Sequence, residues 1–324
     1  MENKQRLDKS AKANSLYNFF KDNSFLIQES TQLKSNYSKG KESPWSLSFS
    51  GHCLKDIFGI ENNVFCSKYG EAISGDGQEA TKIMTLHSSS LASLLVFFSV
   101  SKDNPIFVPI NGKPEKFNNV QFEVKNEVDE NSNNYSNIDV VLYGDNCILY
   151  LESKFSEYLG SGSVEVKDTK YYTDIYEKLK QTLSNAGVSL QPIKSKRYLT
   201  GNDGPFYCEG IKQMISHYLG LRTEIKKGYL TKENRRIILG EILFNFGDIV
   251  NIGKKKFEAY STAYSELKKG LENCVKEDKI KLEVNDLTTY QKVLQMKENK
   301  AFLKNMPETI RIFYRYNTLL NNAI

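Results

Sequence analysis

The sequence lacks several features that would settle its class at once. No Cys-x-x-Cys pair occurs, Trp45 is the only tryptophan, and no apolar run is long enough to cross a bilayer. The longest such stretch, Leu91–Val100, is interrupted by serine and falls far short of the roughly 20 residues a spanning helix needs. The N-terminal residues carry no apolar block of the secretory kind, so no membrane role is expected. The five cysteines (53, 66, 147, 208 and 274) are odd in number and widely spaced, which points to a reducing, cytoplasmic setting. His52, Cys53, Cys66 and His87 fit no compact zinc pattern. Strong charge is absent as well. With 44 basic against 39 acidic residues the net charge is +5, compatible with nucleic acid but too small to argue for it alone. No helix-turn-helix or zinc-finger pattern offers a readable target sequence.

What is present is an ordinary globular mix of 324 residues, 40% hydrophobic and 26% charged, with ample material for a core. The most informative stretch is Asn137–Glu157, NIDVVLYGDNCILYLESKFSE. Two β-branched and aromatic runs, Ile138–Tyr143 and Cys147–Leu151, flank the turn-like Gly144-Asp145-Asn146 and predict a β-hairpin. Asp139 opens the first run, Glu152 ends the second, and Lys154 follows on the same strand face. Two carboxylates and an ammonium at the rim of a buried sheet are costly unless paired or metal-bound. Phosphodiester hydrolysis uses such a set. Carboxylate oxygens hold a hard cation such as Mg²⁺. The cation polarises a phosphate and activates water, and a lysine orients that water or offsets transition-state charge.

Glu-x-Lys alone carries little weight, because it recurs at Glu123, Glu165, Glu224, Glu266, Glu277 and Glu298. Most of those copies read as solvated surfaces. Only Glu152-Ser153-Lys154 closes a run apolar on both faces and follows a strand bearing an acid. The plainer reading is a surface hairpin closed by a salt bridge.

Asp139…Glu152-Ser153-Lys154 resembles the PD-(D/E)XK signature of the restriction-endonuclease-like superfamily, with Ile138 where the nominal motif has proline. Ser88–Leu91 opening an apolar helix, Phe122-Glu123 on the preceding strand, Glu157, and the later Gln213 helix are similar to a bacterial branch of it. The resemblance covers about residues 78–220 and is specific around the hairpin. It implies an α/β fold in which a mixed central sheet is flanked by helices, with helical additions at both ends. It also implies a Mg²⁺-dependent endonuclease acting on DNA, with Mn²⁺ as a substitute, in restriction or phage defence. Asp139 and Glu152 would bind the metal with the Ser153 carbonyl, Lys154 would orient water, and Glu123 would be the extra carboxylate. Gln213 would be an auxiliary nucleic-acid contact. Some relatives carry Gln-x-x-x-Tyr on that helix, whereas here the order is Gln213…His217-Tyr218. Restriction-type relatives commonly dimerise, so a homodimer is expected. Two other readings remain open: a non-catalytic DNA-binding protein on a nuclease fold, and a recombination or RNA-directed nuclease.

Along the chain, residues 10–30 predict a short amphipathic helix and 78–100 a helix broken near His87, with Ser88–Ser90 capping its second part. Glu79 reads as an exposed helix acid. Residues 120–125, 138–143, 147–153 and 236–246 predict strands of one sheet, with Gly240 as a bulge. Asp168–Ala186 and Tyr207–Leu221 predict helices. Residues 188–206 predict a basic loop in which Lys194, Lys196 and Arg197 grip phosphates. Helices are expected at 253–276, 285–300 (capped by Asn285 or Asp286) and 307–320. One nuclease domain over 1–324 is expected, with a catalytic core at about 78–250 and a helical C-terminal extension at about 253–324.

Overall fold

The computed structural model describes residues 34–35, 47–48 and 89–306, apart from 130–133, 156, 161, 167–169, 194–195, 202–205, 231–233 and 246–250. The expected helices at 10–30 and 307–320, Glu79, the His52, Cys53, Cys66 and His87 group, and Lys194 lie outside the described residues.

A six-stranded mixed sheet forms the centre. Its strands are β3 (Asn119–Glu127), β4 (Tyr135–Tyr143), β5 (Cys147–Lys154), β9 (Arg236–Leu243), β10 (Glu283–Val284) and β11 (Thr288–Thr289). The order is β10-β9-β5-β4-β3, and β11 also pairs with β9. The pairs β3/β4 and β4/β5 are antiparallel, while β9 runs parallel to β5, β10 and β11. This mixed sheet with flanking helices is the fold expected of a restriction-endonuclease-like chain. Every residue of β5 is buried, as a nearly continuous apolar run requires of a central strand covered on both faces. Gly144 in the β4–β5 turn is dictated by space, since a Cβ there would lie 2.4 Å from the Lys116 carbonyl oxygen.

A parallel β5–β9 pair needs a long crossover. It consists of β6 (Val164–Val166), α2 (Lys170–Asn185), the hairpin β7 (Val188–Ile193) and β8 (Lys196–Gly201), and α3 (Glu209–Lys226). Helix α3 lies on the sheet face that carries Glu152. The long α4 (Asn251–Asp278) shares that side, joining the face through the Tyr260 hydroxyl. The other face is covered by α1 (Ser89–Phe97), the hairpin β1 (Ile106–Ile110) and β2 (Lys113–Phe117), and α5 (Tyr290–Gln295). A short α6 (Lys300–Asn305) follows. Two fully buried asparagines fasten the hairpin there. Asn285 donates to the Pro109 carbonyl and accepts from the Asn111 N–H at 2.7 Å, and Asn299 makes the same pair of bonds with Phe107 at 2.8 and 2.7 Å.

Three expectations are corrected. Gly240 is not a bulge: its register against Leu151 is unbroken, and its missing side chain makes room for Asn285, 3.1 Å from where a Cβ would sit. Residues 188–206 are not a loop, since most of them form the β7–β8 hairpin of a second, three-stranded sheet. Residues 285–300 form one sheet segment and short helices, and the N-cap of α5 is Thr289, whose hydroxyl accepts from Lys292 N–H. Among the described residues no helix is long and apolar enough to cross a membrane.

Candidate active site

The register of the central sheet lines four acids in one row. Phe122 pairs with Val140 and Val124 with Ile138, which sets Glu123 opposite Asp139. Val140 pairs with Leu151, which sets Asp139 opposite Glu152. Glu152 pairs in turn with Glu241 of β9. Lys154 is two residues beyond Glu152 on the same face.

Glu152 is fully buried, and both its oxygens are engaged. Lys154 Nζ donates to Oε1 and, at 3.2 Å, to the Ser153 carbonyl. Nε2 of His217, on α3, is 2.5 Å from Oε2. An ionised carboxylate only accepts, so Nε2 carries a proton, and Nδ1 is hydrogen-bonded to the Ser136 hydroxyl. Burial pushes the Glu152 pKa up, but Lys154 and His217 outweigh it and hold the group below its ordinary value. Asp139 behaves oppositely. Burial first, then the charge of Glu152 with a contribution from Glu123, raises its pKa well above the usual carboxylate range. Lys154 and the Ser153 N–H, which donates to Oδ2 at 2.7 Å, offset this only in part. The negative charge of the pair therefore sits on Glu152. Burial alone would lower the Lys154 pKa, but Glu152, Asp139 and Glu157 together raise it, so its ammonium stays charged.

Glu123 takes a left-handed backbone (φ 52°), unusual for a side-chain-bearing residue, and the buried/exposed alternation of β3 breaks there. Glu157 opens a single 3-10 turn and accepts from the Phe155 N–H at 2.7 Å, which holds it within electrostatic reach of Lys154. The Ser153 hydroxyl points to the opposite face, onto the Ser89 carbonyl and the Tyr290 hydroxyl.

Two parts of the site were not foreseen. In the sequence His217 stands only as the residue before Tyr218, one turn beyond Gln213. Glu241 was read as part of an apolar strand. It is fully buried, with the Tyr260 hydroxyl donating to its carboxylate at 2.7 and 3.0 Å. Burial, reinforced by Glu152 and Glu157 and opposed by Tyr260 and Lys154, pushes its pKa up to about 8. A sequence signal did exist: Glu241 is the only charged residue between Ile237 and Phe244.

The proposed phosphate-gripping group is not brought together as an open loop. Lys196 and Arg197 are consecutive on β8 and so face opposite ways. Lys196 pairs with Glu165 at 2.8 Å, and Arg197 is partly buried and donates to Thr173 at 2.6 Å. Gln213 is partly buried on α3, and its Oε1 has no hydrogen-bond partner among the described residues. Of the Lys254–Lys256 cluster, Lys256 is structural, donating to the Leu159 and Gly160 carbonyls.

The family model for restriction endonucleases associating with ARP matches residues 16–202, more than half of the chain. The chain belongs to that family. No curated protein and no solved structure matches it. For this restriction-endonuclease family member the matched span includes Glu123, Asp139, Glu152 and Lys154. It stops before α3 and β9, which supply His217 and Glu241.

Proposed function

We propose that the protein is a metal-dependent endonuclease that hydrolyses DNA phosphodiester bonds, acting in restriction or phage defence. The observation that carries this reading is the row of Glu123, Asp139 and Glu152 on three adjacent strands with Lys154 beside it. Family membership supports it independently.

Among the described residues no three His, Cys, Asp or Glu side chains converge closely enough to hold a metal as they stand. Their chemistry nevertheless fits a hard divalent cation. The donors are all oxygen: the Asp139 and Glu152 carboxylates and the Ser153 carbonyl. Burial, and then the neighbouring acids, raise the Asp139 pKa until the group favours a proton, the condition that a divalent cation relieves. When bound, Mg²⁺ or Mn²⁺ would polarise the phosphate and lower the pKa of a water. Binding at Glu152 requires one of its oxygens to exchange Lys154 or His217 for the cation.

Lys154, held protonated, cannot serve as a general base. It donates hydrogen bonds, orienting the attacking water and countering charge on the pentacoordinate phosphorus. His217 keeps Glu152 ionised and fixed in orientation. Glu123 adds an outer carboxylate next to Asp139. Gln213, one turn from His217, offers an unsatisfied buried oxygen as an auxiliary contact. The test is incubation with plasmid, single-stranded DNA and RNA in Mg²⁺, Mn²⁺ or EDTA. Cleavage of DNA with metal and none with EDTA is expected. Removing a metal-binding carboxylate, as in Asp139→Ala or Glu152→Ala, should slow cutting by about a hundredfold to a thousandfold. Absence of cutting by the wild type under all these conditions, or wild-type rates in both variants, would overturn the reading.

A further inference from the structure

His217 holds the acidic row from one side of the sheet. The other side makes a contact with it that the nuclease reading does not use. The β4–β5 pairing runs from Tyr143 and Ile148 to Val140 and Leu151. Beyond that point side chains hold the backbone of Ser153. Its N–H donates to Asp139 Oδ2 at 2.7 Å, and its carbonyl accepts from Lys154 Nζ at 3.2 Å. The orientation of Asp139 is therefore tied to the placement of one serine.

The groups that fix this serine lie on the opposite face. The Ser153 hydroxyl donates at 2.9 Å to the carbonyl of Ser89, the first residue of α1. That uses its one hydrogen, so the Tyr290 O–H, 2.6 Å away, donates to Ser153 Oγ. Burial pushes the Tyr290 pKa up, and the hydroxyl keeps its proton for this bond. Both residues are fully buried, where a lost hydrogen bond is not replaced by water.

Tyr290 is placed by the same sheet. Thr289, just before it, pairs with Leu243 of β9, and Leu243 pairs with Lys154 of β5. Gln291, just after it, closes two bonds with the Asn245 backbone, at 3.1 and 2.9 Å. The Phe97 ring of α1 packs against the Tyr290 ring with centroids 6.2 Å apart. Helices α1 and α5 thus converge on one point of β5. A phenylalanine at 290 would offer the same ring to Phe97, and the hydroxyl adds the bond to Ser153.

We infer that Tyr290 is a positioning residue for the acidic row, acting through the Ser153 hydroxyl to fix the N–H that orients Asp139 and the carbonyl that faces Lys154. It lies well beyond the matched family span, which ends at residue 202. The effect on cutting rests on the nuclease reading, whereas the positioning itself does not.

The experiment is residue-resolved amide hydrogen exchange by NMR on the full-length protein in EDTA, for the wild type, Tyr290→Phe, Ser153→Ala and the double variant. Plasmid cleavage in Mg²⁺ is measured beside it. Exchange at residue 153 should be roughly tenfold faster in Tyr290→Phe, with the Val141 amide of β4 unchanged. Ser153→Ala should show the same acceleration, which keeps the test valid if Tyr290→Phe fails to fold. The double variant should match Ser153→Ala, because Tyr290 acts through the hydroxyl that is already gone. At saturating DNA, kcat should fall about tenfold in Tyr290→Phe while KM for DNA stays the same. Wild-type exchange at residue 153 in both single variants would overturn the inference. So would equal acceleration at residue 153 and Val141, which would assign Tyr290 to general stability, or additive effects in the double variant. If the wild type cuts DNA, an unchanged kcat in Tyr290→Phe would overturn it as well. If the wild type does not cut, the nuclease reading fails and the exchange rates alone decide the positioning.

Discussion

Glu152 is a fully buried anion whose two oxygens are held by a lysine and a histidine, so removing either partner leaves a charge without its compensation. His217→Ala should destabilise the protein by about 1–3 kcal/mol, because a buried group loses its hydrogen bond while staying ionised. Urea denaturation at pH 7 measures this, with a lower midpoint and an unchanged slope expected. Glu241 makes the opposite case, a buried acid that keeps its proton. Its folded pKa is near 8 against an ordinary 4.5, so between those values the native state holds a proton that the unfolded chain releases. The stability this group contributes is complete below about pH 4.5 and is lost as the pH rises through 8, on the order of a few kcal/mol in all. Glu241→Gln should flatten that decline, read as unfolding free energy at pH 5 and pH 8.5. Glu152 and Lys154 were legible in the sequence because they interrupt a run that is otherwise apolar on both faces. Glu241 satisfies the same criterion, but no lysine follows it to single it out. Tyr260 was not legible at all, since only the docking of α4 against the sheet brings it to Glu241.

At the scale of elements, local pattern served well where an element is periodic and poorly where a partner distant in sequence sets its form. The β4–β5 hairpin and the β9 strand follow from β-branched runs and a turn. The break in β3 does not: nothing in its local sequence marks Glu123 as the left-handed residue at which the alternation of burial stops. Glu123→Gly should relieve that strain. Because glycine also adds unfolded-state entropy, the net gain should be at most about 1 kcal/mol. Cleavage should nevertheless slow, so a raised melting temperature with reduced cutting is the expected pair of results. The β7–β8 hairpin is hidden by its proline, its terminal glycine and its basic residues, which imitate a loop. Its cations can be tested for DNA contact as a set. Neutralising Lys194, Lys196 and Arg197 should reduce the slope of log affinity against log salt by about 0.9 per lost phosphate contact. With Arg197 held by Thr173, a change of no more than about two units is expected, measured by fluorescence anisotropy across a salt series.

For the whole molecule, the sheet has two chemically distinct ends. One carries acids in register, and at the other Lys226, Arg235, Arg236, Lys279 and Lys281 surround a cleft with the apolar walls Ile225, Ile237, Ile280 and Leu282. Both depend on β9, which enters the sheet only after the long crossover from β5. The two asparagines that fasten the β1–β2 hairpin extend the same dependence into time. Phe107 is held by Asn299, 192 positions further along the chain. At a synthesis rate of about 5–20 residues per second, that partner reaches the ribosome's active centre roughly 10–40 s after Phe107 does. Until then the hairpin's outer strand has no partner for its peptide groups and stands as an open edge, the kind of surface on which nascent strands pair wrongly. Stalled nascent chains ending before Asn285 should therefore be cut by protease within residues 104–118, and chains that have cleared the exit tunnel beyond Asn299 should be protected.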